Sequence, residues 1–196
     1  MKRHKQLVQH DPDNNKWGDC FRTCLAIMIG AEPEQVPHFN DMSLEEDERV
    51  DVDAWLRANV ECEVVTIVYP GEFSLDEILA TMGCNSSTAP YIISGRSGNP
   101  KFDCNHAVVG IGGELFCDPK TGKEPDPKTV FRGPVVNDNL SKDKQEEQWW
   151  VTYLVRSAPI DDHAIGGTKK LPYHIGTCGP VSEFNNPSLL TDDSSK

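Results

Sequence analysis

No run of eighteen apolar residues occurs in the 196-residue chain, so no segment is fit to cross a bilayer as a helix. Positive charge is scarce as well. Nineteen Lys and Arg stand against 31 Asp and Glu, a net charge of −12 with histidine neutral. A surface this acidic repels phosphate backbones and sets nucleic acid aside as a direct partner. The opening MKRHKQLVQHDPDNNK begins basic but has no apolar core, so it does not read as a signal peptide. A cytoplasmic setting with reduced thiols is the expectation. Hydrophobic residues make up only 37 %, which implies that part of the chain does not pack. No internal repeat is visible.

The seven cysteines are an odd number in a chain that is not short, which argues against a disulfide framework. No C-x-x-C pair is present, although structural zinc sites commonly carry one. A zinc module built from Cys20, Cys24, Cys104 and His106 therefore stands only as a minor alternative.

Several elements are legible. In GDCFRTCLAIMIG, Asp19 is a good N-cap type, and Phe21, Cys24, Leu25 and Met28 recur at helical spacing up to Gly30. Residues 43–60 read as a second helix, opened by Ser43 with Glu46 completing a capping box. CEVVTIVY, residues 62–69, is β-branched and ends at Pro70-Gly71, so it reads as a strand. Residues 74–83 read as a short helix closed by Gly83. Three strands follow at 90–95, 105–113 and 114–119, with Gly112-Gly113 as a hairpin signal. Residues 120–148 read as a long surface connection, and 149–156 as a last strand. From 157 to 196 the chain turns rich in Gly, Pro, Ser, Asp and Asn, and reads as an irregular arm that includes His174 and Cys178. The expectation is one α+β domain over 1–156, with helices on one side of an antiparallel sheet and the first seventeen residues on the surface.

Chemistry concentrates in three residues. Cys20 falls in the first turn of the first helix, where unpaired N–H groups and the macrodipole favour a thiolate. Cys24, one turn on, aligns with the apolar face and reads as packing. A thiolate nucleophile needs a base, and the base needs an orienter. His106 heads an apolar strand, and Asp118 ends the strand that returns from the glycine pair. A turn at Gly112-Gly113 makes these two cross-strand neighbours, so the carboxylate can fix the imidazole tautomer. Trp17, His38 and Phe39 read as core and rim residues, and Cys104 and Cys117 as buried.

GDCFRTCLAIMIG followed by NHAVVGIGGELFCDP resembles the papain-like cysteine peptidase superfamily, specifically its bacteriocin-processing (C39-like) branch. The longer opening GDCFRTCLAIMIGAEPEQVPHF is similar to that of a set of small bacterial and phage proteins. The match spans about residues 14–156. The resemblance implies a papain-like fold, with Cys20 as nucleophile, His106 as general base and acid, and Asp118 as orienter. It also implies a side-chain oxyanion donor six residues before the nucleophile, usually Gln. Here Asn14 holds that place, Asn15 is an equal candidate, and Gln9 has the right chemistry but lies further upstream. The implied activity is hydrolysis of a peptide, isopeptide or small amide through a thioester, or acyl transfer, with no cofactor and no membrane. A phage-encoded chain would act in the host cytosol. The alternative from another class is a papain-like binding module that sequesters a host factor.

Overall fold

A computed structural model describes residues 1–41, 44–85, 87–136 and 146–157. Its elements, in order, are α1 (Cys20–Ile29), α2 (Val52–Val60), β1 (Cys62–Pro70), α3 (Leu75–Asn85), β2 (Tyr91–Ser97), β3 (Asn105–Ile111), β4 (Glu114–Cys117), α4 (Pro127–Val130), β5 (Phe131–Gly133), β6 (Val135–Val136) and β7 (Glu147–Arg156). The architecture is α+β. The main sheet path runs β1-β7-β2-β3-β4, every pairing antiparallel, with β5 beside β2 and β6 beside β7. None of the described helices is long and apolar enough to cross a membrane.

Strand alternation divides the core in two. Ile92, Ala107 and Val109 pack with α1 and α2, whereas Tyr91, Ile93 and Val108 pack with Ile78, Leu79 and Met82 of α3. Helices thus cover both faces of the sheet, not one. The cause is that β2 and β3 are apolar on both sides, and a two-sided sheet must be covered twice. Complete burial of Leu25, Ile27 and Ile29 contributes about 1.5–3 kcal/mol each and pins α1 to the sheet.

The other departures are local. The second helix starts at Val52, capped by Asp51, whose carboxylate accepts from Ala54 N at 2.6 Å. Ahead of it, Glu45 and Glu48 cap a 3-10 turn, and the expected opener Ser43 lies outside the described residues. Helix α3 runs through Gly83 because that glycine packs on the β3–β4 turn. A Cβ there would stand 3.4 Å from Gly113 Cα. Part of the expected surface connection joins the sheet as β5 and β6, with Phe131 and Val135 buried. Of the expected C-terminal arm only Ser157 is described, its amide bonded to Glu61 O at 2.9 Å. His174 and Cys178 lie outside the described residues.

The first residues are not a free surface segment. His4 and Gln6 are buried, Gln6 N donates to Pro119 O at 2.7 Å, and Arg3 stacks over Phe116 at 4.7 Å. This N-terminal arm crosses β4 and ends against the start of α1.

Candidate active site

The start of α1 is held by an unexpected use of Asp19. Its side chain makes no capping bond to the helix. Instead the carboxylate, 1 % exposed, accepts from Val8 N at 2.9 Å and Leu7 N at 3.3 Å, and pairs with the Arg22 guanidinium. The backbone of Asp19 still starts the helix, its carbonyl accepting from Thr23 N at 3.0 Å. One buried anion therefore ties the arm to the helix start. Cys20 follows as the first helical residue and is part-exposed. Cys24 is fully buried, and burial pushes its thiol well above the ordinary range.

His106 is the second residue of β3. Its Nε2 lies 2.8 Å from Asp118 Oδ1, and both residues are buried. The two are not directly opposed in the ladder as the turn count implied. Gly112 and Gly113, at φ of 62° and 81°, form the expected two-residue turn between Ile111 and Glu114. The register then slips: Gly110 pairs with Leu115, but Val109 pairs with Cys117. Phe116 is the extra residue of a β-bulge, which carries Asp118 past the end of β4. There Asp118 enters a tight turn, bridging to Lys123 and accepting from Gly122 N at 2.7 Å. The turn aims the carboxylate back at His106, and Lys120 N donates a second bond to Asp118 Oδ1 at 2.8 Å.

Burial alone would lower the His106 imidazole. The Asp118 hydrogen bond and the Cys20 side chain, acting by hydrogen bonding and by charge, outweigh it and raise the ring to about 9. Burial likewise works against an ionised Asp118, but His106 and Lys120 win and hold that carboxyl below its usual range. With Nε2 committed to Asp118, the ring nitrogen left for a thiol is Nδ1.

A cavity of about 540 Å³ opens beside Cys20 and His106. Trp17, Phe21, Phe102 and Trp150 give it apolar walls. His38 stands behind rather than inside it, its Nε2 donating to Gly18 O at 3.3 Å, and Phe39 is buried against Trp55. Cys104 lines the cavity, and burial together with the nearby Cys20 raises its thiol.

Asn14 is not brought to this site. It is exposed in a 3-10 turn, and its amide donates to Asp11 Oδ2 at 2.7 Å. Asn15 is exposed too, in the left-handed region at φ 51°. The side-chain amides that do line the cavity belong to Gln6, Gln9, Asn40, Asn99 and Asn105, and of the two glutamines Gln6 is the buried one. It has one Nε2 hydrogen on Val8 O at 2.7 Å, a second hydrogen to give, and an Oε1 that has no partner among the described residues. Fourteen positions separate Gln6 from Cys20, but residues 9–18 form an excursion closed by Asp19 N on Val8 O, with Asp11 and Lys16 bridged inside it. The turn-forming string DPDNNK was the available sign that a count straight back from Cys20 would land in a loop.

Among the described residues, no group of three or more His, Cys, Asp or Glu is arranged to hold a metal ion. The zinc alternative gains no support, since its proposed ligand Cys24 packs in the apolar core. What the site can do is move one proton between a thiol and an imidazole fixed by a carboxylate, beside amide donors. No family model, no curated protein and no solved structure matches this chain. The reading of the site rests on its own geometry.

Proposed function

We propose that the chain is a papain-like cysteine hydrolase acting on a peptide, isopeptide or small amide, with Cys20, His106 and Asp118 as its triad. The observation that carries this reading is the His106 ring, bonded through Nε2 to buried Asp118 while the side chain of Cys20, at a helix start, acts on it. Two independent sequence signals thus meet in one place.

In the resting pair His106 holds the proton on Nδ1, and the Cys20 thiolate attacks the carbonyl carbon. The oxyanion accepts from Cys20 N–H and from the free Nε2 hydrogen of Gln6, which takes the place first given to Asn14. The imidazolium hands its proton to the departing amine as the C–N bond breaks, leaving a thioester. Water then gives a proton to His106 and its oxygen to the acyl carbon. The carboxylic acid departs and the thiolate–imidazolium pair is restored. An amine in place of that water gives acyl transfer. A ring raised to about 9 stays protonated at neutral pH, as a thiolate partner must.

The test is alkylation by iodoacetamide as a function of pH, with the modified residue located by mass spectrometry, in wild type and His106→Ala. Cys20 is expected to react first among the cysteines at neutral pH and to lose that lead in the variant. Cys20 reacting no faster than the other cysteines, with no effect of the substitution, would overturn the hydrolase reading and leave the binding module in its place.

A further inference from the structure

The chain carries 31 Asp and Glu, yet among the described residues no Asp or Glu lines the cavity beside Cys20. Among the described residues that line it, Lys120 is the one Lys or Arg. Asp19 and Asp103, next to the lining residues Cys20 and Cys104, are paired with Arg22 and Arg132, and three further acidic groups surround a second hollow of about 500 Å³ on the far side of His106. There Asp118 holds His106, Glu124 meets Arg3 at 3.1 Å, and Asp126 caps α4 through Lys128 N. His106 and Lys120 border both hollows, so they stand between a chamber that no described carboxylate lines and one lined by Asp118, Glu124 and Asp126.

Lys120 is placed by the same turn that aims Asp118. Its backbone amide is bound to Asp118 Oδ1, and Gly122 at φ 70° lets the chain double back. Its side chain is exposed, and its ammonium forms no ion pair within 4.0 Å among the described residues. A positive charge thus lines an aromatic chamber that, among the described residues, no carboxylate lines. A cation entering there loses water and finds no counter-ion, while an apolar group gains contact with Trp17, Phe21, Phe102 and Trp150. An anion at the mouth finds Lys120.

We propose that the acyl part of the substrate is apolar or aromatic and bears negative rather than positive charge, with Lys120 as its counter-ion. This rests on the hydrolase reading above. It separates the chamber from the chain's overall charge, which on its own would draw cationic substrates.

The experiment compares two alkylating agents of nearly equal size, anionic iodoacetate and neutral iodoacetamide. Each forms an S–C bond to Cys20 with loss of iodide. Their rate ratio at Cys20, mapped by mass spectrometry and divided by the ratio for free cysteine, reads the local potential. The ratio is expected to exceed one despite the acidic chain. It should fall by about threefold or more in Lys120→Met, fall further in Lys120→Glu, and persist in Lys120→Arg. The iodoacetamide rate at Cys20 reports any change in the nucleophile itself, and an NMR titration of His106 in each protein shows that the imidazole charge is kept, so the remaining differences belong to position 120. A ratio that Lys120→Met leaves unchanged overturns the inference while the nucleophile stands. A Cys20 slow toward both agents brings down the hydrolase reading and this inference with it.

Discussion

Two regions meet at the cavity and are held by different forces. The unit of α1, β3 and β4 contributes Cys20 and His106, with Asp118 just past its last strand, and is fixed by apolar burial. The arm over residues 1–19 contributes Gln6 and Trp17 and is fixed by hydrogen bonds that converge on the Asp19 carboxylate. Burial is spread over many side chains and tolerates the loss of one. A buried anion with three partners is concentrated, and its loss is felt at once. The difference teaches that Cys20, His106 and Asp118, the proposed triad, sit on the robust part and the Gln6 amide on the fragile one.

The sharpest way to test the robust part is Asp118→Ala. Loss of the orienter is expected to cost on the order of 10²–10⁴ in turnover, the usual scale for general acid–base work. The His106 imidazole should return from about 9 toward its ordinary value, read by NMR titration. The sign for stability follows. A folded-state pKa raised above 6.5 stabilises the fold fully below pH 6.5, and that contribution fades as pH rises to about 9. Urea midpoints at pH 6 and 9.5 should therefore differ more in wild type than in Asp118→Ala. An imidazole still near 9 in the variant breaks the assignment of Asp118.

Gln6→Ala probes the donor on the arm. It is expected to lower kcat about 10²–10³-fold, the effect of removing one oxyanion donor, with KM nearly unchanged. A change in thermal midpoint alone would reduce Gln6 to a packing residue. Asp19→Ala tests how the arm is held. It strands the Arg22 guanidinium and frees the Leu7 and Val8 amides, so a loss of about 3–5 kcal/mol is expected from denaturant unfolding. Hydrogen exchange at Val8 should quicken more than exchange in β3. Asn14→Ala is the smallest change, within about 0.5 kcal/mol and without effect on turnover. A loss of turnover there would restore the donor expected from spacing.

How far each region was legible follows from the same contrast. The core unit was readable because burial writes periodicity into sequence. Phe21, Cys24, Leu25 and Met28 mark α1, and the glycine pair marks the turn that returns β4 toward His106. The bulge at Phe116 was not readable, since an extra residue leaves the hydrophobic pattern of so short a strand almost unchanged. The second cover of the sheet was missed because short apolar runs do not show whether one face or both are packed. The arm was the least legible. Its structure depends on Asp19 choosing backbone amides eleven and twelve positions upstream over the helix it precedes, and no local propensity encodes that choice.

The excursion over residues 9–18 has a consequence for evolvability. Its neck is closed by Asp19, whose N–H donates to Val8 O and whose carboxylate accepts from Val8 N and Leu7 N, and it carries His10 and Trp17, whose rings pack 5.4 Å apart at the cavity. Lengthening such a loop costs only about 0.6 kcal/mol for each doubling. Insertions and deletions can therefore reshape the roof over the cavity while the neck, the helix and the strands stay in register. Descendants of this chain can diversify what the cavity admits by editing one appendage, with Cys20, His106 and Asp118 on elements that the edit leaves in place.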